Sequence, residues 1–249
     1  MTTISPLRAR AQHLPMHTMT RDDAKPPKAG GLAALYLAAA LLAAIPYFLL
    51  VIDYPGASTA ADKVALIAGN YASMYAMYLA SYMFFGIAVG VLALALRDRL
   101  RSDAPFAMRA ATGIGLLWSF ALVISGMVFT YGMTTIEPLA ATNHAQAVTT
   151  WQAVEPVALA LGGAGGELLG GLWVLLVSLV VLRGGGLSKA LGWLGVVIGL
   201  VGLISVVPPL HDAAIAFGLL QIAWFVWLGV VLMTTKRGVS GELLAKVHP

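Results

Sequence analysis

The chain reads as an all-α integral membrane protein, a bundle of six transmembrane helices with both termini in the cytoplasm. Three observations predict this. Of 249 residues, 59% are hydrophobic and only 10% are charged, against roughly 25% charged residues in a soluble domain. The mean hydropathy is +0.86, and the length accommodates about six apolar segments of ~20 residues joined by short connections. Fourteen of the fifteen Lys and Arg residues fall on one side of that six-pass arrangement and Lys63 alone on the other, which orients the bundle by the positive-inside rule.

Residues 1–30 are polar, contain Pro6, Pro15, Pro26 and Pro27, and show no apolar periodicity, the composition of a disordered basic tail. Arg8 and Arg10 precede the first acid, Asp22, as they would in a transit peptide, but the apolar run that follows is too long for a signal-peptide core. The six-helix domain covers 31–235. Its first span is 32–52, with Pro46 predicting a local kink, and stops at Asp53, Tyr54, Pro55 and Gly56. The second, 71–96, ends at Arg97, Asp98 and Arg99. The third is 110–133, followed by a polar loop over 134–152. The fourth occupies part of 153–182. The fifth, 190–207, stops at Pro208 and Pro209, and the sixth, 213–233, leads into Lys236, Arg237 and a short tail, 236–249.

Charge sorts by side. Arg8, Arg10, Arg21, Lys25 and Lys28 share one side with Arg97, Arg99, Arg101, Arg109, Arg183, Lys189, Lys236, Arg237 and Lys246. A five-span or seven-span reading breaks this alternation. The opposite side is acidic, with Asp53, Asp62, Glu137, Glu155 and Asp212, and Glu167 nearby. A negative vestibule there attracts cations, although acids are also tolerated outside because they do not govern topology. The net charge of +4 does not point to nucleic acid, because the basic residues flank apolar segments and form no basic domain. With no cysteine, disulfides, thiolate chemistry and Cys-ligated metals are excluded.

Lipid is as apolar as Leu, so small residues, rather than apolar burial, let membrane helices associate. Gly162, Gly166 and Gly170 follow i, i+4, i+8, with Gly163 and Gly171 on the adjoining stripe. Gly192, Gly195, Gly199 and Gly202 share one face of the fifth span. The short connection 183–189 predicts that spans four and five form a closely packed antiparallel hairpin. Tyr71, Tyr75, Tyr78 and Tyr82 make a stripe down the second span. It serves either as the wall of a polar cleft or as a packing face. Tyr54 and Trp151 are placed as outer-interface anchors and Trp193 as an inner one.

Candidate functional residues are few. Glu167 lies in the apolar fourth stretch, where a carboxylate at a helix centre costs roughly 2.5–3.5 kcal/mol and calls for a function such as proton or cation handling. If that span begins only near Ala164, Glu167 instead sits at the outer interface, and Glu155 with Pro156 opens a short interfacial helix. His211 and Asp212, between spans five and six, could join His144, Glu137 and Glu155 in an outer-face metal site of nitrogen and oxygen ligands. Tyr75 and Tyr78 complete the candidate set. No nucleotide-binding loop, nucleophile elbow or intramembrane histidine pair for haem is present, and no catalytic residue, metal or cofactor is assigned.

In the last third, Leu182 and Arg183, the glycine-rich turn, Leu191, Gly192, Trp193, Leu194 and Gly195, and the stretch from Trp224 to Gly229 ahead of Lys236 resemble a bacterial family. Its members are the multi-pass membrane proteins grouped as domain of unknown function 4386. The resemblance implies a protein of the bacterial cytoplasmic membrane and brings no catalytic residues; the long basic tail departs from it. Three functional readings follow. The first is a non-enzymatic structural or regulatory membrane component. The second is a small proton- or cation-coupled transporter or channel using Glu167. The third is an outer-face membrane enzyme. The lipid bilayer is the partner expected, nucleic acid is not, and homo-oligomerisation stays open.

Overall fold

The computed structural model describes residues 28–100, 105–162, 166–184 and 186–234. The tails expected over 1–27 and 236–249 lie outside them. Among the described residues the chain is helical throughout and has no strand. Five helical stretches are long and apolar enough to cross a membrane: Lys28–Val51, Tyr71–Leu100, Pro105–Thr142, His144–Gly184 and Ala213–Thr234. A shorter apolar helix, Lys189–Ser205, lies between the last two.

Helix α1, Lys28–Pro46, takes in residues 28–30, which sequence composition had assigned to the tail. Directly after Pro46 the helix widens into a π turn, Tyr47–Val51, the local consequence of a proline that withholds an amide and crowds the preceding turn. The chain then reverses at Asp53, whose φ of 52° is left-handed and whose carboxylate accepts the Gly56 amide at 3.2 Å. Helix α2, Ala60–Gly69, is started by a capping box in which Thr59 and Asp62 bond reciprocally. Those hydrogen bonds hold the Asp62 carboxyl below its ordinary range.

Helix α3, Tyr71–Tyr78, runs through a second π segment, Leu79–Phe84, into α4, Phe85–Leu100. The Ala80 carbonyl within that segment accepts a bond from the Tyr36 hydroxyl at 2.8 Å. Helix α5, Pro105–Thr142, has 38 residues, about 57 Å at 1.5 Å per residue. The expected polar loop over 134–152 is therefore wrong. Thr134, Thr135 and Thr142 turn their hydroxyls onto carbonyls one turn back, and the helix continues without any apolar stripe facing lipid to announce it. Asn143 breaks it, and α6, His144–Gly162, returns along it. Helix α7, Gly166–Gly184, α8, Lys189–Ser205, and α9, Ala213–Thr234, complete the bundle.

Two cores result. The larger joins α1, α4, α5, α7, α8 and α9 around Leu37, Leu92, Trp118, Trp173, Trp224 and Phe225. The smaller joins α2, α3, the distal half of α5 and α6 around Val64, Ile67, Tyr78, Phe129, Met133 and Trp151. Trp151 is thus fully buried in this cap and is no interface anchor, whereas Trp193 remains exposed. The described basic residues Lys28, Arg97, Arg99, Arg109, Arg183 and Lys189 all sit on helix ends at the pole opposite the cap.

The α7–α8 hairpin is built on backbone approach. A Cβ on Gly171 would lie 2.9 Å from the Gly199 carbonyl oxygen, and one on Gly199 would lie 2.8 Å from that of Gly171. Gly192 faces Leu182, and Gly202 faces Gly171 and Phe217. Gly162 and Gly170, by contrast, face Ser125 and Trp118 of α5. The two glycine stripes of the fourth stretch therefore serve different neighbours. Gly199→Leu should cost at least about 1–3 kcal/mol, because an added Cβ would meet Leu175 Cβ at 2.6 Å and the Gly171 carbonyl oxygen at 2.8 Å, neither of which can swing away. Gly113→Ala, facing open space, should be neutral or stabilising by up to about 1 kcal/mol. Thermal unfolding of both variants in detergent checks this, and equal midpoints would remove the close-packing account.

Candidate functional site

Two groups of polar residues stand out, and they differ in kind. The first is self-contained. Lys63 on α2 donates to Glu155 Oε1 on α6 at 2.6 Å, and the Tyr54 hydroxyl donates to the same oxygen at 2.7 Å. The ammonium also lies 5.2 Å from the centre of the Tyr54 ring. Burial and the neighbouring Glu155 carboxylate push the Tyr54 hydroxyl well above its ordinary pKa. The one basic residue that sequence sorting leaves on the acidic side is thus a clamp between α2 and α6. Glu155, a proposed metal ligand, is committed to it.

The metal arrangement itself does not assemble. No group of three or more His, Cys, Asp or Glu among the described residues is placed to hold an ion. His144 begins α6 at the far tip of the cap, about 27 Å along that helix from Gly162. His211 and Asp212 lie at the start of α9, and His211 Nδ1 is 3.3 Å from the Ser205 carbonyl.

The second group surrounds a cavity of about 390 Å³ where the two cores meet. Both π segments border it: Phe48 and Leu49 from the first, Ser81 and Tyr82 from the second. Such segments recur at functional sites because they displace side chains from the regular helical register. Trp118 and Leu122 of α5, Gly162 of α6, Glu167 of α7 and Phe217 and Gln221 of α9 complete the wall. Glu167 is the second residue of α7 as described, Gly166–Gly184.

Three buried polar atoms on this wall have no hydrogen-bond partner: Glu167 Oε2, Gln221 Nε2 and Trp118 Nε1. Gln221 and Trp118 are each 3% exposed. Leaving such a group unsatisfied costs about 1–3 kcal/mol, and three residues of one wall each carry such an atom. Toward the basic pole the indoles pack on one another, Trp118 tilted against Trp173 at 5.7 Å and Trp173 edge-on to Trp224 at 6.0 Å between ring centres. Its exposed lining residues are Leu49 at 41% and Ile215 at 59%, so it opens on the flank between α1 and α9.

The tyrosine stripe divides. Tyr78 is buried, stacked on Phe129 at 4.5 Å and within 5.2 Å of Phe48, which makes it a packing residue. Tyr71 bonds Thr134 at 3.1 Å, and Tyr75 lines a separate cavity of about 690 Å³ against α5 and α6. Only Tyr82 reaches the cavity. Gln221 and Trp118 were not anticipated from the sequence. The available signal for Gln221 was a single amide inside an otherwise apolar sixth span. Trp118 had none, since a tryptophan in a membrane helix is unexceptional.

Lys63→Met should destabilise the cap by about 1–3 kcal/mol. That is less than the 3–5 kcal/mol of a fully buried pair, because the two side chains remain 23% and 11% exposed. Adding Glu155→Gln should restore most of the loss, and a double-mutant cycle on unfolding midpoints reads it. Additive losses would show that the clamp carries no coupling. In comparisons with protein-family models, curated proteins and solved structures, nothing matched the chain.

Proposed function

We propose that this is a six-span protein of the bacterial cytoplasmic membrane, with both termini cytoplasmic, that binds a small, largely apolar molecule in the cavity around Glu167. It would act as a non-enzymatic regulatory or structural component. The observation that carries the binding reading is that three residues lining one apolar cavity each carry a buried polar atom without a partner. An apolar pocket with a few convergent polar groups is the usual form of a small-molecule site.

The topology rests on charge. The basic residues gather at the pole opposite the cap, and α8, at 17 residues, is about 25 Å long, close to a hydrocarbon thickness of ~30 Å. The absence of native cysteine makes a direct test simple. Asn143→Cys should be labelled by a membrane-impermeant maleimide in intact cells. Lys189→Cys should be labelled only after permeabilisation. Labelling of position 189 from outside would overturn the orientation.

A transporter using Glu167 is the second reading, favoured by the unpartnered carboxylate oxygen. The buried Trp118, Trp173 and Trp224 rings argue against it, because bulky side chains pack on the basic side of the cavity. Proteoliposomes carrying the protein should therefore show proton flux equal to protein-free vesicles, with or without added cations. A flux above that background that Glu167→Gln abolishes would replace the binding reading with the transport one.

A further inference from the structure

The cavity wall specifies a ligand chemistry. Phe48, Tyr82, Phe85, Trp118 and Phe217 place five aromatic rings around it, and Glu167 is the one acid that lines it. No Lys, Arg or His is among the lining residues. Ring faces carry negative quadrupole charge and attract cations, more strongly when water is excluded. A carboxylate oxygen without a partner accepts hydrogen bonds or charge, and in an apolar surrounding its natural complement is positive. The two unpartnered donors, Gln221 Nε2 and Trp118 Nε1, are neutral and suit an oxygen acceptor a few bonds away. The flank opening, rimmed by Leu49 and Ile215, accommodates an apolar body entering between α1 and α9.

We infer that the cavity selects an organic ammonium group attached to an apolar body, seated with its cation between Glu167 and the aromatic wall. This rests on the binding reading above and adds the charge and class of the ligand. The cation meets the carboxylate and the rings, the neutral donors meet an oxygen near it, and the apolar remainder lies along α1 and α9. Two sources supply this chemistry: a hydrophobic amine free in solution, or the headgroup and upper chain of an amino-phospholipid in the surrounding leaflet.

The test uses the full chain in phosphatidylglycerol nanodiscs, with calorimetric titration of benzyltrimethylammonium and of neopentylbenzene. The second replaces the charged nitrogen by carbon and keeps the shape. Heats from protein-free nanodiscs are subtracted. The ammonium should bind, and the carbon isostere should bind at least about tenfold more weakly, a difference of about 1.4 kcal/mol. Glu167→Gln, nearly isosteric, should weaken the ammonium by about tenfold while leaving the isostere unchanged. Its unfolding midpoint establishes that the variant is folded, and Trp118→Phe, which keeps an aromatic face and removes the indole donor, should retain most of the cation preference.

Equal affinities for the two probes in the wild-type protein would overturn the ammonium inference while leaving a binding cavity. Binding of neither would overturn both. An affinity for the ammonium indifferent to Glu167→Gln would overturn the assignment of the carboxylate. Adding phosphatidylethanolamine to the nanodiscs then separates the sources. Competition with the probe assigns the site to a lipid headgroup, and its absence to a free amine, each in agreement with an ammonium site.

Discussion

The length of α5 governs the architecture. A helix of 38 residues rises about 57 Å, nearly twice the ~30 Å of a bilayer's hydrocarbon core. A partner of ordinary span length cannot cover it. The chain meets this with α6 and α7 in succession, α6 along the distal half and α7 along the proximal half. Ser125 fastens the α5–α6 contact by donating to the Ala158 carbonyl at 2.7 Å. Ser119 fastens the α4–α5 contact by donating to the Gly86 carbonyl at 2.6 Å. The distal half would expose Phe129, Met133 and Ile136 if left bare. The α2 segment and the start of α3 cover them, which creates the second core.

The cavity follows from that division. Glu167 stands where the cover of α5 passes from α6 to α7. Beside it α1 and the α3–α4 helix each pass through a π segment. Two elements thus depart from regular helix around the cavity, and tight interdigitation gives way to space. The glycine contacts that draw α7 against α8 keep the basic half dense, so the space stays confined to the junction. The Lys63–Glu155–Tyr54 clamp fixes α2 on α6 above it and neutralises the cap's lone ammonium.

How much of this could be read from sequence depends on the scale of the interaction. Apolar segments, their polarity and the glycine faces are local patterns, and they place the helices and the antiparallel α7–α8 neighbours. The helical nature of 134–152 was hidden because a helix that packs in a polar cap carries no lipid-facing stripe. Its threonines and Asn143 also read equally well as loop. The depth of Glu167 is not legible in the sequence because 153–182 is longer than one span. Trp151 was misplaced for a related reason: amphipathic aromatics at a predicted boundary look like anchors until a second core is known to exist there. The meeting of Gln221 and Trp118 with Glu167 is wholly tertiary, joining helices separated by up to a hundred residues.

Energetics gives that meeting its significance. Three unsatisfied polar groups at about 1–3 kcal/mol each sum to several kcal/mol, a large share of the 5–15 kcal/mol that stabilises an ordinary fold. Elsewhere in the bundle Thr112, Thr130 and Ser205 bond their hydroxyls to carbonyls, while the Ser178 hydroxyl and the Trp151 and Trp173 indoles stand singly without a partner. Neutral, apolar replacements of Gln221 and Glu167 would fill the same space without the penalty. Retaining polar groups there at such a cost is the pattern of a site shaped for a ligand, where stability is given up for recognition. The indoles packed on its basic side supply the complementary half of the argument. Bulky rings fill that side of the cavity, so what enters from the flank is held there.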